Sequence, residues 1–239
     1  MGTMTFQNLG AMGRLGNQLH QIAAVIGYAK KYNQQYSFSK WKYEEYFNLR
    51  DYEHPCEIDT IIQEADSLNY TEIPSYLPQM GNINFVGYFQ SEKYFSHCKK
   101  DILDIFKIEE TNFNCGFIHL RRSDYLNLSS YHTNLAWEYY KEGMNILGYD
   151  HYFCFSDDIG WCKENIKDSR IHFIENTTEI EDLRLMQKCK GAVIANSSFS
   201  WWGAYLSDSK NVIIPKNWFG PSAGSFRIED RLCPGWRAI

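Results

Sequence analysis

Hydrophobic and polar positions along the chain trace a first half that is hard to read and a second half with a clear beat. Met4 to Leu9 reads as a strand. Leu15, Leu19, Ile22, Ala23 and Ile26 then recur at helical spacing, and Lys30 and Lys31 near the end complement the helix dipole. Gln35 to Ser39 reads as a strand and the aromatic-rich Trp41 to Leu49 as a helical segment, followed by polar stretches broken by Pro55, Pro74 and Pro78. Ile83 to Phe89 predicts a strand, and Ser91 to Phe106 a helix that buries Tyr94, Phe95, Cys98, Ile102, Leu103 and Phe106.

After the polar segment Glu109 to Asn114 the alternation sharpens. Strands at 115–120, 151–156, 171–174, 191–195 and 211–214 alternate with helices near 135–147, 158–166, 179–188 and 199–207. Alternation of this kind predicts a parallel, doubly wound α/β sheet. The expected division is a domain of residues 1–110 and a second of 111–239.

The stretch Cys115 to Tyr125, C-G-F-I-H-L-R-R-S-D-Y, is an apolar run that ends in charge. Side chains alternate faces along a strand, so His119 and Arg121 share one face while Leu120 and Arg122 share the other. In an open parallel sheet, ligands sit beyond the carboxyl ends of the strands. An arginine pair at one strand end is by itself ordinary solvated charge. Here polar residues gather past three ends: Arg121 and Arg122, then Ser156, Asp157 and Asp158, then Asn196, Ser197 and Ser198. Asn196 to Ser200 also marks a helix start, where backbone N–H groups and hydroxyls converge as a phosphate cradle requires.

Gly10, Gly13 and Gly16 are spaced G-x-x-G-x-x-G, so they miss the dinucleotide fingerprint at its second glycine. Two readings stay open: close backbone approach to a ligand, with Asn17 and Gln18 as polar contacts, or a tight strand-to-helix turn.

Composition narrows the classes. A formal net charge of -5 without a basic cluster argues against nucleic acid as a partner. Aromatics at 16% suit carbohydrate stacking as well as cores. The seven cysteines form no C-x-x-C pair, which points to reduced thiols. No signal peptide and no membrane-spanning run is apparent, so a cytoplasmic location is expected, and the four N-x-[ST] sequons then carry no glycosylation meaning. Gly220-Pro-Ser-Ala-Gly224 fits a nucleophile elbow, but the last histidine is His172, so no triad can follow in that order. Histidines and cysteines show no metal-ligand spacing, and no Asp-x-Asp dyad occurs, so no metal is expected. A bound diphosphate would then depend on arginine and backbone N–H groups.

Five segments in order carry a resemblance: G-R-L-G-N-Q-L-H-Q (13–21), G-Y-F-Q-S-E-K-Y-F (87–95), H-L-R-R-S-D-Y (119–125), F-S-D-D-I-G-W-C (155–162) and A-N-S-S-F-S-W-W-G-A-Y-L (195–206). Together they resemble the alpha-1,2-fucosyltransferases, glycosyltransferase family 11. The chain departs from that pattern at Ser123, where glycine is usual, at His20, where an aromatic is usual, and in a short region before residue 80, which bears on the acceptor.

The resemblance implies a GT-B-like α/β fold of two Rossmann-like domains facing a cleft, 1–110 on the acceptor side and 111–239 binding GDP-fucose, with no cofactor and no metal. It implies that Arg121 meets the donor diphosphate and that His119 and Asp182 contact the guanosine. Ser197, Ser198 and Phe199 would line the phosphate and nucleoside site, with Arg122, Asp157 and Asn196 at the same strand ends. Gly16 and Asn17 would reach the donor or the transition state. The implied partners are GDP-fucose and a galactose-containing acceptor. For the base that takes the acceptor proton, Asp124 is the first candidate and His132 the second, with the surroundings of Asn17 after them. Asp124 reads equally well as a structural partner of Arg122.

Overall fold

A computed structural model describes residues 2–49 and 57–239, so Pro55 and Cys56 lie outside the described residues. The chain divides into two α/β units, Met1–Lys107 and Ile108–Ile239. The first holds a parallel sheet of Thr3–Thr5 (β1), Gln35–Tyr36 (β2), Thr60–Gln63 (β3) and Ile83–Val86 (β4) in the order β2-β1-β4-β3. Met4 fixes the register, opposite Tyr36 on one side and Ile83 on the other. β1 ends well short of Leu9 because the chain turns at once: Leu9 N–H donates to Phe6 O, and Ala11 N–H to Asn8 O.

Helix α1 (Leu15–Lys31) is buried on nearly all sides from Leu15 to Ala29, its apolar residues together with the polar Gln18, His20 and Gln21 near its start. It is packed so closely that a Cβ on Gly27 would lie 2.3 Å from Tyr94 O. His97 Nε2 is also 2.9 Å from Gly27 O. Seated there, the segment expected as one helix from Ser91 breaks into single turns at Glu92–Tyr94 and Ser96–Cys98 before helix α2 (Lys99–Phe106) begins. Trp41 to Leu49 holds one turn only, at Glu44–Tyr46, because its aromatic rings are committed elsewhere: Trp41 stacks on Phe47, which meets Phe106 edge-on.

The second unit holds six strands, Phe113–Leu120 (β5), Tyr152–Ser156 (β6), Ile171–Phe173 (β7), Cys189–Val193 (β8), Val212–Ile214 (β9) and Arg237–Ala238 (β10), in the order β10-β9-β8-β5-β6-β7. All its pairings are parallel. Counted from β5 this is the 3-2-1-4-5-6 order of nucleotide-binding doubly wound sheets, and the winding reverses between β5 and β8. Its helices are Ser123–Leu126 (α3), Trp137–Leu147 (α4), Ile159–Asn165 (α5), Glu179–Lys188 (α6) and Ser198–Leu206 (α7). α6 opens with a capping box between Thr178 and Glu181. α4 closes on Gly148, at φ 71°, where a left-handed residue suits glycine. The single-turn α3 and the two-residue β10 have too few residues to leave a periodic signal.

Glycines set the spacing at the amino end of this sheet. Gly116 on β5 lies opposite Gly191 on β8, and added Cβ atoms would fall 2.4 Å from the rings of Tyr152 and Tyr149 respectively. The Tyr152 hydroxyl donates to Met144 O at 2.8 Å, so its ring cannot swing aside. Gly116→Val should therefore destabilise the fold: strand preference contributes at most about 1 kcal/mol, while overpacking a rigid site costs about 1–3 kcal/mol or more. The melting temperature is expected to fall by roughly 5 °C; an unchanged or higher value would refute the packing account.

Candidate functional site

β5 is buried from Cys115 to Leu120, and its first exposed length delivers the charged cluster at the point where the winding reverses. The two arginines part company there, as strand alternation requires. Arg121 places Nη1 2.8 Å from Asp157 Oδ2, and its Nη2 donates to Asp124 Oδ1 at 2.5 Å. Its guanidinium also lies over the Tyr125 ring, 5.3 Å from the centroid. Arg122 turns the other way, with Cζ 3.3 Å from the Trp161 ring centroid and Nε 3.3 Å from Asp158 Oδ2. Stacking of this kind contributes about 1–2 kcal/mol, so Arg122 anchors α5 against the strand end. Asp124 thus pairs with Arg121 and not with Arg122, because the single turn α3 brings it back three residues along the chain.

Asp157 organises the cluster. Its Oδ1 accepts the Arg122 backbone N–H at 2.9 Å, its Oδ2 faces Arg121, and its main-chain carbonyl accepts from the Ser123 hydroxyl. Asp158 caps α5 by accepting from Trp161 N–H. Among the described residues no group of three or more His, Cys, Asp and Glu is arranged to hold a metal ion.

A second layer ties the ends of β5 and β8. The Tyr125 hydroxyl donates to Asn196 O at 3.0 Å, and its ring stacks on His132 with centroids 4.0 Å apart. His132 also pairs with Phe219 through an isolated antiparallel bridge, and this contact with the Gly220 loop explains the abortive elbow motif as a structural turn. Asn196 is buried, and its Nδ2 donates to Thr133 O and Trp218 O, so its amide stitches loops together, while its Oδ1 has no partner. Ser197, Ser198 and Phe199 are half-buried at the start of α7, where the N-cap Ser197 makes no side-chain cap bond.

His119 lies beneath this layer, buried, edge-on to Phe199 at 5.7 Å, with Nδ1 lacking any hydrogen-bond partner. Burial drives its pKa from 6.5 down to about 4, with the Arg121 charge assisting and Asp157 opposing. Burial likewise lowers that of His132, Asp124 opposing and Arg121 assisting. Both rings are neutral at pH 7. Asp182, in the first turn of α6, accepts from the Thr177 hydroxyl at 2.6 Å. Burial raises its pKa, Thr177 opposing and Glu181 and Glu179 assisting. No ion pair joins it to the arginines among the described residues.

Gly16 and Asn17 belong to the first unit, at the start of α1, where the Asn17 Oδ1 accepts from Gln90 Nε2 at 2.6 Å. Trp161, Tyr125 and Gln90 lie in the segments quoted for the resemblance but carry no assigned role in the sequence reading, because each acts through a partner distant in sequence.

The buried His119 makes stability depend on pH with a definite sign. The unfolded chain takes up a proton near pH 6.5 and the folded one only near 4, so stability falls as pH drops through that window, by about 3 kcal/mol at its lower end. His119→Gln should flatten the loss of melting temperature between pH 6.5 and 5. A slope equal to that of the parent protein would exclude His119 as its source.

Comparison with known proteins places this geometry. The model of Glycosyl transferase family 11 matches residues 5–239. An Escherichia coli alpha-1,2-colitosyltransferase is 34% identical over 168 residues, 58% of this chain and 57% of the relative. The O-antigen biosynthesis glycosyltransferase WbnK of Escherichia coli is 31% identical over 162 residues, 55% of this chain and 54% of the relative. The match thus spans little more than half the length of these curated relatives. A crystal structure of POFUT1 in complex with GDP-fucose superposes with a TM-score of 0.52 at 14% identity, covering 94% of this chain and 95% of that one. That likeness shows a GT-B-like fold of two Rossmann-like units, and the family match over nearly the whole chain shows that this protein belongs to glycosyl transferase family 11.

Proposed function

We propose that the protein transfers L-fucose from GDP-fucose, with inversion, to the 2-hydroxyl of a galactosyl acceptor, forming an alpha-1,2 linkage. The observation that carries this is Arg121, held between two carboxylates at the switch point of a doubly wound parallel sheet. Support comes also from the family match and from relatives named for alpha-1,2 transfer.

Asp124 is the more exposed of the two carboxylates on Arg121, at 43% against 20% for Asp157. An incoming diphosphate displaces Asp124 and leaves Asp157 holding the guanidinium in line. Negative charge then grows on the diphosphate as GDP departs, and Arg121 with the N–H groups at Ser197 and Ser198 stabilises it where it develops. Asp124, released from Arg121, becomes a carboxylate able to take the acceptor proton, which makes donor binding and base activation one event. His132, kept neutral by burial, is the second candidate for that proton. His119 and Asp182 meet the guanosine, and Gly16 and Asn17 serve the transferred sugar. Arginine supplies the positive charge, and the proposal invokes no metal. A second reading, transfer of colitose in place of fucose, is favoured by the colitosyltransferase relative. A donor screen against galactosides, with linkage analysis of the product, decides between them.

Arg121→Lys keeps charge but loses the planar fork, so it should be nearly as damaging as Arg121→Ala, each lowering turnover by roughly a hundredfold. Wild-type turnover in the lysine variant would reduce Arg121 to diffuse charge. Transfer should also survive exhaustive EDTA; activity lost to the chelator and restored by magnesium or manganese would overturn the metal-free scheme. Asp124→Asn should cost about a hundredfold in turnover while GDP affinity holds or tightens, because the carboxylate that competes for Arg121 is gone. If instead His132→Ala carries that loss, the proton goes to His132.

A further inference from the structure

In the first unit, with the order β2-β1-β4-β3, the strands β1 and β4 are neighbours, so the loops past their carboxyl ends lie side by side. The chemistry gathered there differs from that at the second unit's switch point. The buried Gln21 lies between the two loops, and its Nε2 donates to Met12 O after β1 and to Gly87 O after β4, both at 3.1 Å. Its Oε1 is buried with no hydrogen-bond partner, a costly state for an amide and one that a ligand hydroxyl or a bridging water relieves.

The β4 loop is held in an uncommon shape. Phe89 is fully buried at φ 51°, a left-handed conformation that bulky residues rarely adopt. It stays there because the two Glu64 oxygens accept the N–H groups of Tyr88 at 2.7 Å and Phe89 at 2.8 Å. Strain held by dedicated contacts is characteristic of sites that fix a geometry for function. What this loop presents is Gln90, whose Nε2 donates to Asn17 Oδ1 at 2.6 Å. A Cβ on Gly13 would fall 2.4 Å from Asn17 Nδ2, so a side chain at that position would crowd the amide. Gln90 Oε1 has no protein partner among the described residues and is open to solvent. Two residues before Gln90, the half-buried Tyr88 ring makes no aromatic contact and its hydroxyl no hydrogen bond among the described residues.

We propose that this corner, Gln90 on the loop it shares with Tyr88, beside the Asn17 that serves the transferred sugar and near the buried Gln21, is the subsite that receives an uncharged sugar of the acceptor, with Gln90 as the residue that meets its hydroxyls. Neutral amides both donate and accept, as hydroxyls do, and an aromatic face suits the apolar side of a sugar ring. A nucleoside diphosphate would instead call for the arginine of the second unit. The inference rests on the transferase reading above and extends it to a residue that the reaction chemistry alone does not require.

Gln90→Ala, Gln90→Glu and Tyr88→Ala are compared with the parent protein at saturating donor and varied galactoside. Donor hydrolysis without acceptor and GDP calorimetry run alongside. Gln90→Ala should raise the acceptor KM by about tenfold. Gln90→Glu, which loses the donor to Asn17, should do the same, with GDP affinity and donor hydrolysis within about twofold of the parent. An unchanged acceptor KM in a folded Gln90→Ala protein overturns the proposal. So does a loss of donor hydrolysis in step with transfer, which would place Gln90 on the donor sugar. Saturation-transfer NMR with methyl β-galactoside reads the subsite without any turnover. If the parent protein transfers nothing, the functional reading fails, yet a galactoside signal lost in Gln90→Ala still upholds the subsite, and one retained refutes it.

Discussion

Asp157 fixes how the central strand of the second unit leaves the sheet, and the site depends on that exit. One of its oxygens accepts the Arg122 N–H and the other faces Arg121, so a residue at the end of β6 sets both the backbone path and a side-chain direction at the end of β5. Without it Arg121 would keep only the more exposed Asp124 as its carboxylate partner, and a largely buried guanidinium with less compensation is destabilising. The two arginines have parted roles for the same reason. Strand alternation sends Arg122 to Trp161 and Asp158, where it secures α5, and leaves Arg121 beside the crevice.

Charge and neutrality are layered at this switch point. At the rim, Arg121 and Arg122 face Asp124, Asp157 and Asp158, a cluster whose formal charges sum to minus one. Beneath it His119 is held uncharged by burial, against the larger of its two charged neighbours, Asp157, with Arg121 adding a smaller push the same way as burial. A buried neutral imidazole with an unpartnered nitrogen offers directional hydrogen bonding without charge, which suits an uncharged ring more than a phosphate. Charge at the rim and neutrality below it thus have separate causes, ion pairing above and desolvation beneath.

Much of the second unit was legible because its central strands are largely buried and read as mostly apolar runs, β5 from Cys115 to Leu120 above all. The helix over 179–188 appears with its expected ends, since a capping box marks its start. The residues past the strand ends could be named from alternation alone, yet their pairings could not: that Asp124 returns to Arg121 depends on the single turn α3, which leaves no periodic signal. The first unit was harder for a different reason. β3 is a four-residue edge strand with Ile61 65% exposed, and the segment from Ser91 was bent out of helix by contacts with Gly27, a residue more than sixty positions away. Gln90 follows Phe89, whose left-handed backbone no local propensity predicts.

One construction recurs in both units and accounts for their difference in chemistry. In each, the residue just after a strand is an acid that grips main-chain N–H groups at the exit of the neighbouring strand: Glu64 after β3 holds Tyr88 and Phe89 past β4, and Asp157 after β6 holds Arg122 past β5. Parallel neighbours bring their carboxyl ends to one edge, so an acid at that position reaches the next strand's exit at hydrogen-bond distance. In the first unit both oxygens of Glu64 accept from the main chain, and the loop they shape offers neutral amides. In the second, the main chain takes one oxygen of Asp157 and the other faces Arg121, so the loop it shapes offers a positioned cation. The step from a neutral to a charged crevice thus turns on where the second carboxylate oxygen goes.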